Sequence, residues 1–323
     1  MPDLRSLAAV VAILAFGASG CRRSPGPPPI RVALLPFLSY APFLLADADG
    51  DFRREGIRVE FVHLERNADA TVALMAGQID VTAGILNAVD LNALARGAGF
   101  RVVADKGHEE AGRCTFSGFV VRPDLSGPPA RFRVTPASVY EFLLDRALAA
   151  DGRDPASVSR VDFPIPLVPR ALATHAVDGA SLDEPALSRA LDRRDAVLWK
   201  RHGEILPGFQ FAYVTFGRAL LGPRRAEGVR FLRAYLRGVA RYRQGKTPGN
   251  LDVVSGRTGV SRGDLERACW PSISADGSFD PSTLDRFQDW CLARGLVRRK
   301  LTVAEIADLS LARDAAANGA AGR

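Results

Sequence analysis

The chain is 323 residues long, 47% hydrophobic and 24% charged, with a formal net charge of +7. Those proportions belong to a soluble globular body of one large or two medium domains, and they exclude a polytopic membrane protein, which needs several long apolar runs. The positive charge is almost wholly arginine, with Lys106, Lys200, Lys246 and Lys300 as the lysines, and it is scattered rather than striped. Scattered arginines argue against a nucleic-acid partner and read as solvated surface, with a weak pull toward anionic lipid headgroups as the second reading.

The chain opens on Arg5 and an apolar run from Leu7 to Phe16, too short to span a bilayer comfortably. Small residues follow and end in Ala18-Ser19-Gly20-Cys21, where a plain secretory signal would carry an A-x-A-like cleavage site. This resembles the bacterial lipoprotein box. The resemblance implies that residues 1–21 form a lipoprotein signal peptide with its box. It also implies that Cys21 is the lipidated first residue of the mature protein, and that the body is tethered to a membrane outside the cytoplasm. Residues 22–29, with Ser24-Pro25-Gly26-Pro27-Pro28-Pro29, then read as an extended, semi-rigid spacer.

Ile30 to Leu35 is a β-branched and apolar run that predicts a buried strand, followed by a helix from about Ser39 to Gly50 with Pro42 in its first turn. Ile57 to Val62 alternates with period two, Ala68 to Ala76 has helical spacing and stops at Gly77, and Ile79 to Ala83 is a third strand. Asn87 to Ala95 is helical and Arg101 to Ala104 a strand. The pattern then restarts: strands at Phe119–Val121 and Arg131–Val134, a helix from Ser138 to about Ala150, and a strand at Ser159–Phe163. A helix over Leu167–Val177 and a short strand from Gly179 to Leu182, ending at Asp183, complete this second array. Ser138 with Glu141 three residues on is a capping-box match. Beyond Pro207 come a strand at Phe211–Phe216, a long amphipathic helix over Arg224–Gln244, further helices, and a tail after Ala312 expected to be disordered. Strands alternating with helices imply parallel sheets, and two successive arrays imply two lobes.

Setting Cys21 aside leaves Cys114, Cys269 and Cys291, an odd number that in an oxidising compartment suggests one pair and one leftover. Cys269 and Cys291 flank the same C-terminal segment and are the expected disulfide. No CxxC or HxxxH spacing exists, and His63, His108, His175 and His202 stand alone, so neither a metal site nor a cofactor is expected.

Several segments together resemble the nitrate/sulfonate/taurine-type substrate-binding proteins of ABC importers, the SsuA/THI5-like, NMT1-like family. Asp51-Phe52-Arg53-Arg54-Glu55-Gly56-Ile57-Arg58-Val59 is similar to its G-x-F-x-x-x-G-L-x-V step, and Ala73-Leu74-Met75-Ala76-Gly77-Gln78-Ile79-Asp80-Val81 to its A-L-x-x-G-x-I-D-V step. Asp124-Leu125-Ser126-Gly127 resembles D-L-K-G, and Val177-Asp178-Gly179-Ala180-Ser181-Leu182-Asp183-Glu184-Pro185 resembles V-D-A-A-x-x-x-E-P. The likeness runs from Ile30 to Leu311. It implies an α/β fold of the periplasmic-binding-protein type II kind, two βαβ lobes with a hinge and a central ligand cleft. Lobe 1 would be discontinuous, 30–116 with 212–311; lobe 2 would be 117–211, and 312–323 a disordered tail. It implies a monomer that takes a small solute and an ABC permease as partners.

In open parallel sheets, ligands sit at the carboxyl ends of strands, near helix N-termini. Four such places emerge: Phe37 to Tyr40, Gly84 to Asn87, Thr135 to Val139, and Asp183-Glu184. The candidate ligand-binding residues are therefore Phe37, Ser39, Tyr40, Gly84, Asn87, Thr135, Ser138, Val139 and Glu184. Arg113 and Tyr213, near the two expected lobe crossings, join them. Each has a plainer reading: Ser39, Asn87 and Ser138 as helix caps, Phe37 and Tyr40 as core, Arg113 as solvated surface. Many relatives carry an aromatic residue, often Trp, where Asp183 stands. Two adjacent acids disfavour a compact anion. They favour a solute with a cationic or hydrogen-bond-donating end, such as a nitrogen heterocycle of the thiamine-pyrimidine-precursor kind, over a sulfonate-like one. The leading expectation is a lipid-anchored, non-enzymatic binding protein. A ligand-sensing module for a receptor is one alternative. The other is an enzyme on the same fold, like the pyrimidine synthases and menaquinone-pathway dehydratases, which the export signal opposes.

Overall fold

Among the described residues the apolar runs form ten strands, with helices between them. These are β1 Ile30–Leu34, β2 Val59–His63, β3 Val81–Gly84, β4 Arg101–His108, β5 Ser117–Val121, β6 Arg131–Arg133, β7 Ser159–Val161, β8 Gly179–Asp183, β9 Val197–Arg201 and β10 Gln210–Phe216. The structure is a computed structural model that describes residues 27–320 apart from 36, 65 and 111; Cys21 and the segment before it lie outside the described residues. One sheet has the order β2-β1-β3-β10-β4 and the other β7-β6-β8-β5-β9. β1 pairs in parallel with β2 and β3, and β6 with β7 and β8. β10 runs antiparallel to β3 and β4, and β5 antiparallel to β8 and β9. The first sheet thus draws β1–β4 and β10 from both ends of the chain, and the second holds β5–β9. The chain crosses between them twice, after β4 and before β10.

Parallel strands need crossovers that bury both faces, and here helices supply them. The long helix Arg225–Tyr242 lays Phe231, Leu232, Tyr235 and Val239 on the first sheet's core and packs on the helix Ala41–Ala48. Gly238 permits that approach: a Cβ there would lie 2.1 Å from the Pro42 carbonyl oxygen. A smaller apolar cluster of Val120, Val168, Leu172, Leu182 and Leu187 stabilises the second sheet.

The structure departs from expectation at identifiable places. The helix expected from Ser39 begins as a 3-10 turn, Leu38–Tyr40, and the helix expected over Leu167–Val177 shortens to Val168–Ala173. β4 continues through the polar run Asp105-Lys106-Gly107-His108, whose partners lie across the fold, and β9 escaped the pattern because Trp199, Lys200 and Arg201 do not alternate. The stretch expected to be a disordered tail carries the helix Ser310–Ala320, held because Leu311, Ala312 and Ala315 are buried.

The disulfide also differs. Cys114 is bonded to Cys269 across 155 residues of chain, and Cys291 is free and buried. Cys291 faces the core from the helix Ser282–Ala293, and burial pushes its thiol up to about 12. Cys269 instead lies beside the first crossing, where its N–H donates to Glu184. Short sequence separation is a poor guide here because the helix holds Cys291 in the core while Cys269, outside it, lies against the crossing. Replacing Cys114 and Cys269 together by serine is expected to cost roughly 2–5 kcal/mol, as for other native disulfides. Urea unfolding without reductant checks this, and a loss below about 1 kcal/mol would mean that the bridge constrains nothing.

Candidate functional site

The carboxyl ends of β1, β3, β6 and β8 carry the four predicted loops, and two of these loops touch. The Ala88 N–H, at the start of the helix Ala88–Ala95, donates to the Ala137 carbonyl at 2.9 Å, joining the two sheets' loops directly. Ala137 holds a left-handed backbone, φ 53°, rare for a residue with a side chain. Its neighbours fix it: the Ala137 N–H donates to Glu141, and the Ser138 hydroxyl donates to the Thr135 carbonyl at 2.6 Å while accepting from the Glu141 N–H. Ser138 therefore caps its helix, the plainer of its two readings. Asn87 also caps its helix, in a capping box with Asp90 that turns its side chain toward the Asp90 N–H. Its N–H donates to Asp90, but its Oδ1 is buried without a hydrogen-bond partner.

Between these loops lies a buried charged set. Lys106, 2% exposed, projects from β4 with its Nζ 3.8 Å from the Tyr40 ring centroid and 5.9 Å from that of Phe37. Among the described residues it has no carboxylate within ion-pairing distance. Burial therefore lowers its ammonium to about 7, opposed by the charge of Asp183. Asp183, at the end of β8, accepts from the Tyr140 hydroxyl at 2.7 Å through Oδ2, while its Oδ1 is buried and unpartnered. Burial raises its carboxyl to about 6, against the Tyr140 hydrogen bond and the charges of Arg133 and Lys106. The Tyr40 hydroxyl is spent on the Ala83 carbonyl.

A second group adjoins the first. Ser117, opposite Asp183 in the β5–β8 register, lies 2.8 Å from His202 Nδ1 and 3.4 Å from Glu109. Burial pushes Glu109 up to about 8 and His202 down to about 3. The hydroxyl sits between acid and imidazole, so Glu109 does not orient the imidazole, as the acid of a hydrolytic triad must. His202 Nε2 is buried with no partner. The set therefore offers unspent hydrogen-bonding atoms from both sheets, the Lys106 ammonium from the first and Asp183 Oδ1 and His202 Nε2 from the second, while Asn87 Oδ1 is turned to its own helix. That composition suits a small polar ligand held by its donors and acceptors.

The other predicted residues divide. Phe37, Ser39, Tyr40, Gly84, Asn87, Thr135, Ser138 and Val139 lie on the loops at these strand ends, Ser39 buried in the 3-10 turn. Gly84 leaves room for Asn67, since a Cβ there would collide with its Oδ1. Glu184 is buried beside Asp183 but saturated by the Ser188 N–H and hydroxyl and the Cys269 N–H. Arg113 is exposed and faces Glu110 at 3.7 Å, outside the buried set. Tyr213 is core, its hydroxyl 3.4 Å from the Gln210 carbonyl and 3.5 Å from Thr283 Oγ1. Lys106, Glu109, Ser117, Tyr140 and His202 were not singled out from the sequence. The dense polar run at the end of β4, with one of only four lysines, was the available signal.

Two sheets crossed twice by the chain, with their loops facing one another over a buried polar set, define the two-lobed fold of the periplasmic-type binding proteins. The ligand-binding component of an ABC-type import system from Staphylococcus aureus, solved with zinc bound, matches with a TM-score of 0.75 at 17% identity, covering 88% of this chain and 98% of that one. The nitrate-binding protein NrtA of Synechocystis PCC 6803 matches at 0.73 and 12% identity, covering 90% and 88%. The alkanesulfonate-binding protein SsuA of Xanthomonas axonopodis pv. citri, bound to MOPS, matches at 0.69 and 16%, covering 87% and 98%. Residues 23–250 match the NMT1-like family, and the chain belongs to that family. No curated protein matches it in sequence.

Proposed function

We propose that this chain is an extracytoplasmic binding protein, lipid-anchored through Cys21, that captures a small organic solute between its lobes and hands it to an ABC importer, without catalysis. The observation that carries the reading is the set of buried, unspent polar atoms contributed by both sheets. Leaving such atoms unpaired costs roughly 1–3 kcal/mol each, a deficit that a complementary solute would remove. Asp183 calls for a donor on the solute and Lys106 for an acceptor, while His202 Nε2 serves as either according to its tautomer. A nitrogen heterocycle with an amino group meets that demand better than a sulfonate. Family membership and the architecture shared with import-system binding proteins support the same reading.

Capture follows from differential stabilisation of the closed arrangement. Opening must break the Ala88–Ala137 hydrogen bond. It must also loosen the helix Ser282–Ala293, where Trp290 Nε1 donates to Asp145 at 2.8 Å and the following Arg294 pairs with Asp145 and Glu141. A solute bound by both lobes offsets that resistance on reclosure.

The test is to release solute from freshly purified protein, identify it by mass spectrometry and titrate it calorimetrically. One equivalent of an organic solute is expected, with affinity falling about 10–100-fold in Asp183→Asn, the usual worth of a hydrogen bond to a charged group. Absence of any bound solute, together with no thermal stabilisation by heterocycles, sulfonates or nitrate, would overturn the reading.

A further inference from the structure

The end of the first sheet opposite the facing loops carries a second feature. There a surface pocket is bordered by Gly97, Gly99, Arg101, Arg218, Ser310 and Arg313. Arg101 opens β4 and stands in register with Phe216, the last residue of β10, so this edge is where β1 and β4 begin. Gly99 leaves space for an arginine, since a Cβ there would lie 2.7 Å from Arg218 Nε. Arg218 and Arg313 are exposed, and Arg101 donates only to the Ala98 and Phe100 carbonyls. Among the described residues, none of the three has a carboxylate within ion-pairing distance. The acids beside the pocket are already engaged: Asp308 takes Arg225 at 2.7 Å and Ser310, and Asp314 faces Arg225 at 3.9 Å. The pocket therefore keeps a surplus of positive charge.

The described chain also begins here. Pro28, two residues before β1, gives its carbonyl to Arg224 at 2.8 Å, and Arg224 is two residues beyond Gly222, another pocket-lining residue. The spacer that would carry Cys21 thus enters at the same end of the first sheet as the three unpaired guanidiniums, with β3 and β10 between β1 and β4.

We propose that this arginine pocket is a membrane-contact surface that binds the phosphates of anionic lipid headgroups and rests the first lobe's outer end on the bilayer to which the chain is tethered. The proposal takes its biological setting from the lipid-anchor reading, but its charge and geometry are independent of it. Guanidinium groups bind phosphate oxygens through paired N–H donors, and each basic residue near an anionic leaflet contributes about a fivefold gain in partitioning. A short tether that ends on the same face of the lobe keeps the two surfaces together, so weak contacts suffice. Such contact holds the facing loops away from the bilayer until the body turns to meet a partner.

The test uses the chain from Arg22 onward, which lacks Cys21 but keeps every described strand and helix. It is mixed with vesicles of phosphatidylcholine alone or with phosphatidylglycerol, and bound protein is measured by sedimentation. Binding to phosphatidylglycerol vesicles is expected, falling about a hundredfold in the variant Arg101→Gln/Arg218→Gln/Arg313→Gln. A variant with the same charge change on the other lobe, Arg170→Gln/Arg193→Gln/Arg194→Gln, is expected to lose under threefold. The pair Arg218→Gln/Arg313→Gln, at exposed positions, serves if the triple variant misfolds, with a loss of about twentyfold. Equal losses in the pocket and control variants would overturn the proposal in favour of net charge alone. Displacement by millimolar inorganic phosphate at constant ionic strength would overturn it in favour of a soluble anion. Mass spectrometry of the full chain tests Cys21 acylation separately, so failure of the anchor and failure of the surface are distinguishable.

Discussion

Replacing Asp105 by alanine is expected to lower stability by roughly 3–5 kcal/mol. Asp105 is fully buried in β4. Its carboxylate accepts from the Gly107 N–H at 2.6 Å, Gln210 Nε2 at 2.6 Å, the Ser274 N–H at 2.7 Å and His108 Nδ1 at 2.8 Å. These donors come from β4 itself, from the start of β10 and from the loop before the helix Ser282–Ala293, so one side chain joins three parts of the chain at the crossings. Removing it leaves buried donors without acceptors, and leaving a buried group unpaired costs more than the bond contributes. Gly107 adds a second constraint, since a Cβ there would lie 2.4 Å from the Phe211 ring, which stacks on Phe116 of the other crossing at 4.0 Å. Urea unfolding of Asp105→Ala against the parent chain measures the effect. A loss under about 1 kcal/mol would show that the network rearranges without it.

Substituting Glu109 by glutamine is expected to make stability less dependent on pH, with a difference that grows between about pH 4.5 and pH 8. Burial raises Glu109 from its ordinary value to about 8, with Asp183 adding to the rise and Ser117, His108 and Arg201 opposing it. A carboxyl raised in the folded state binds its proton there after the unfolded chain has released its own. Its contribution is therefore complete below the unfolded value and is lost as pH rises through the folded one. Across that window the parent loses up to about 1.4 kcal/mol per pH unit that the glutamine variant retains. Asp183, raised to about 6, acts in the same direction over a lower range. His202, lowered to about 3, acts oppositely below its ordinary value of 6.5, and Lys106, lowered to about 7, restores stability only as pH rises above that. Melting temperatures of the two chains across this range decide the matter. Parallel curves would mean that Glu109 is ionised in both states.

Much of the architecture was legible from local rules. The apolar run of β1, the alternation in β2, the stop at Gly77 and the amphipathic face of Arg225–Tyr242 each express a period or a cap, and each formed close to its expected place. The site was less legible. Strand ends pointed to four loops, two of which touch, but the charged residues between them sit mid-strand, at the crossings or past a strand that lacked alternation. Lys106 looked like surface because a lysine usually is. It is buried beside the Tyr40 and Phe37 rings, and Asp183 acts on it through its charge.

Hydrophobic period and turn chemistry are local, so the class of fold and most of the strands and helices could be read along the chain, whereas β9 and the last helix could not. Tertiary structure alone decided which cysteine pairs with Cys114, that the C-terminal tail is helical, and which polar groups are spent. Cys269 reaches Cys114 across 155 residues, and Glu184 is exhausted by Ser188 and the Cys269 N–H while its neighbour Asp183 keeps a free oxygen. Such outcomes depend on what lies a few ångströms away in space, and adjacency along the chain carries no information about that.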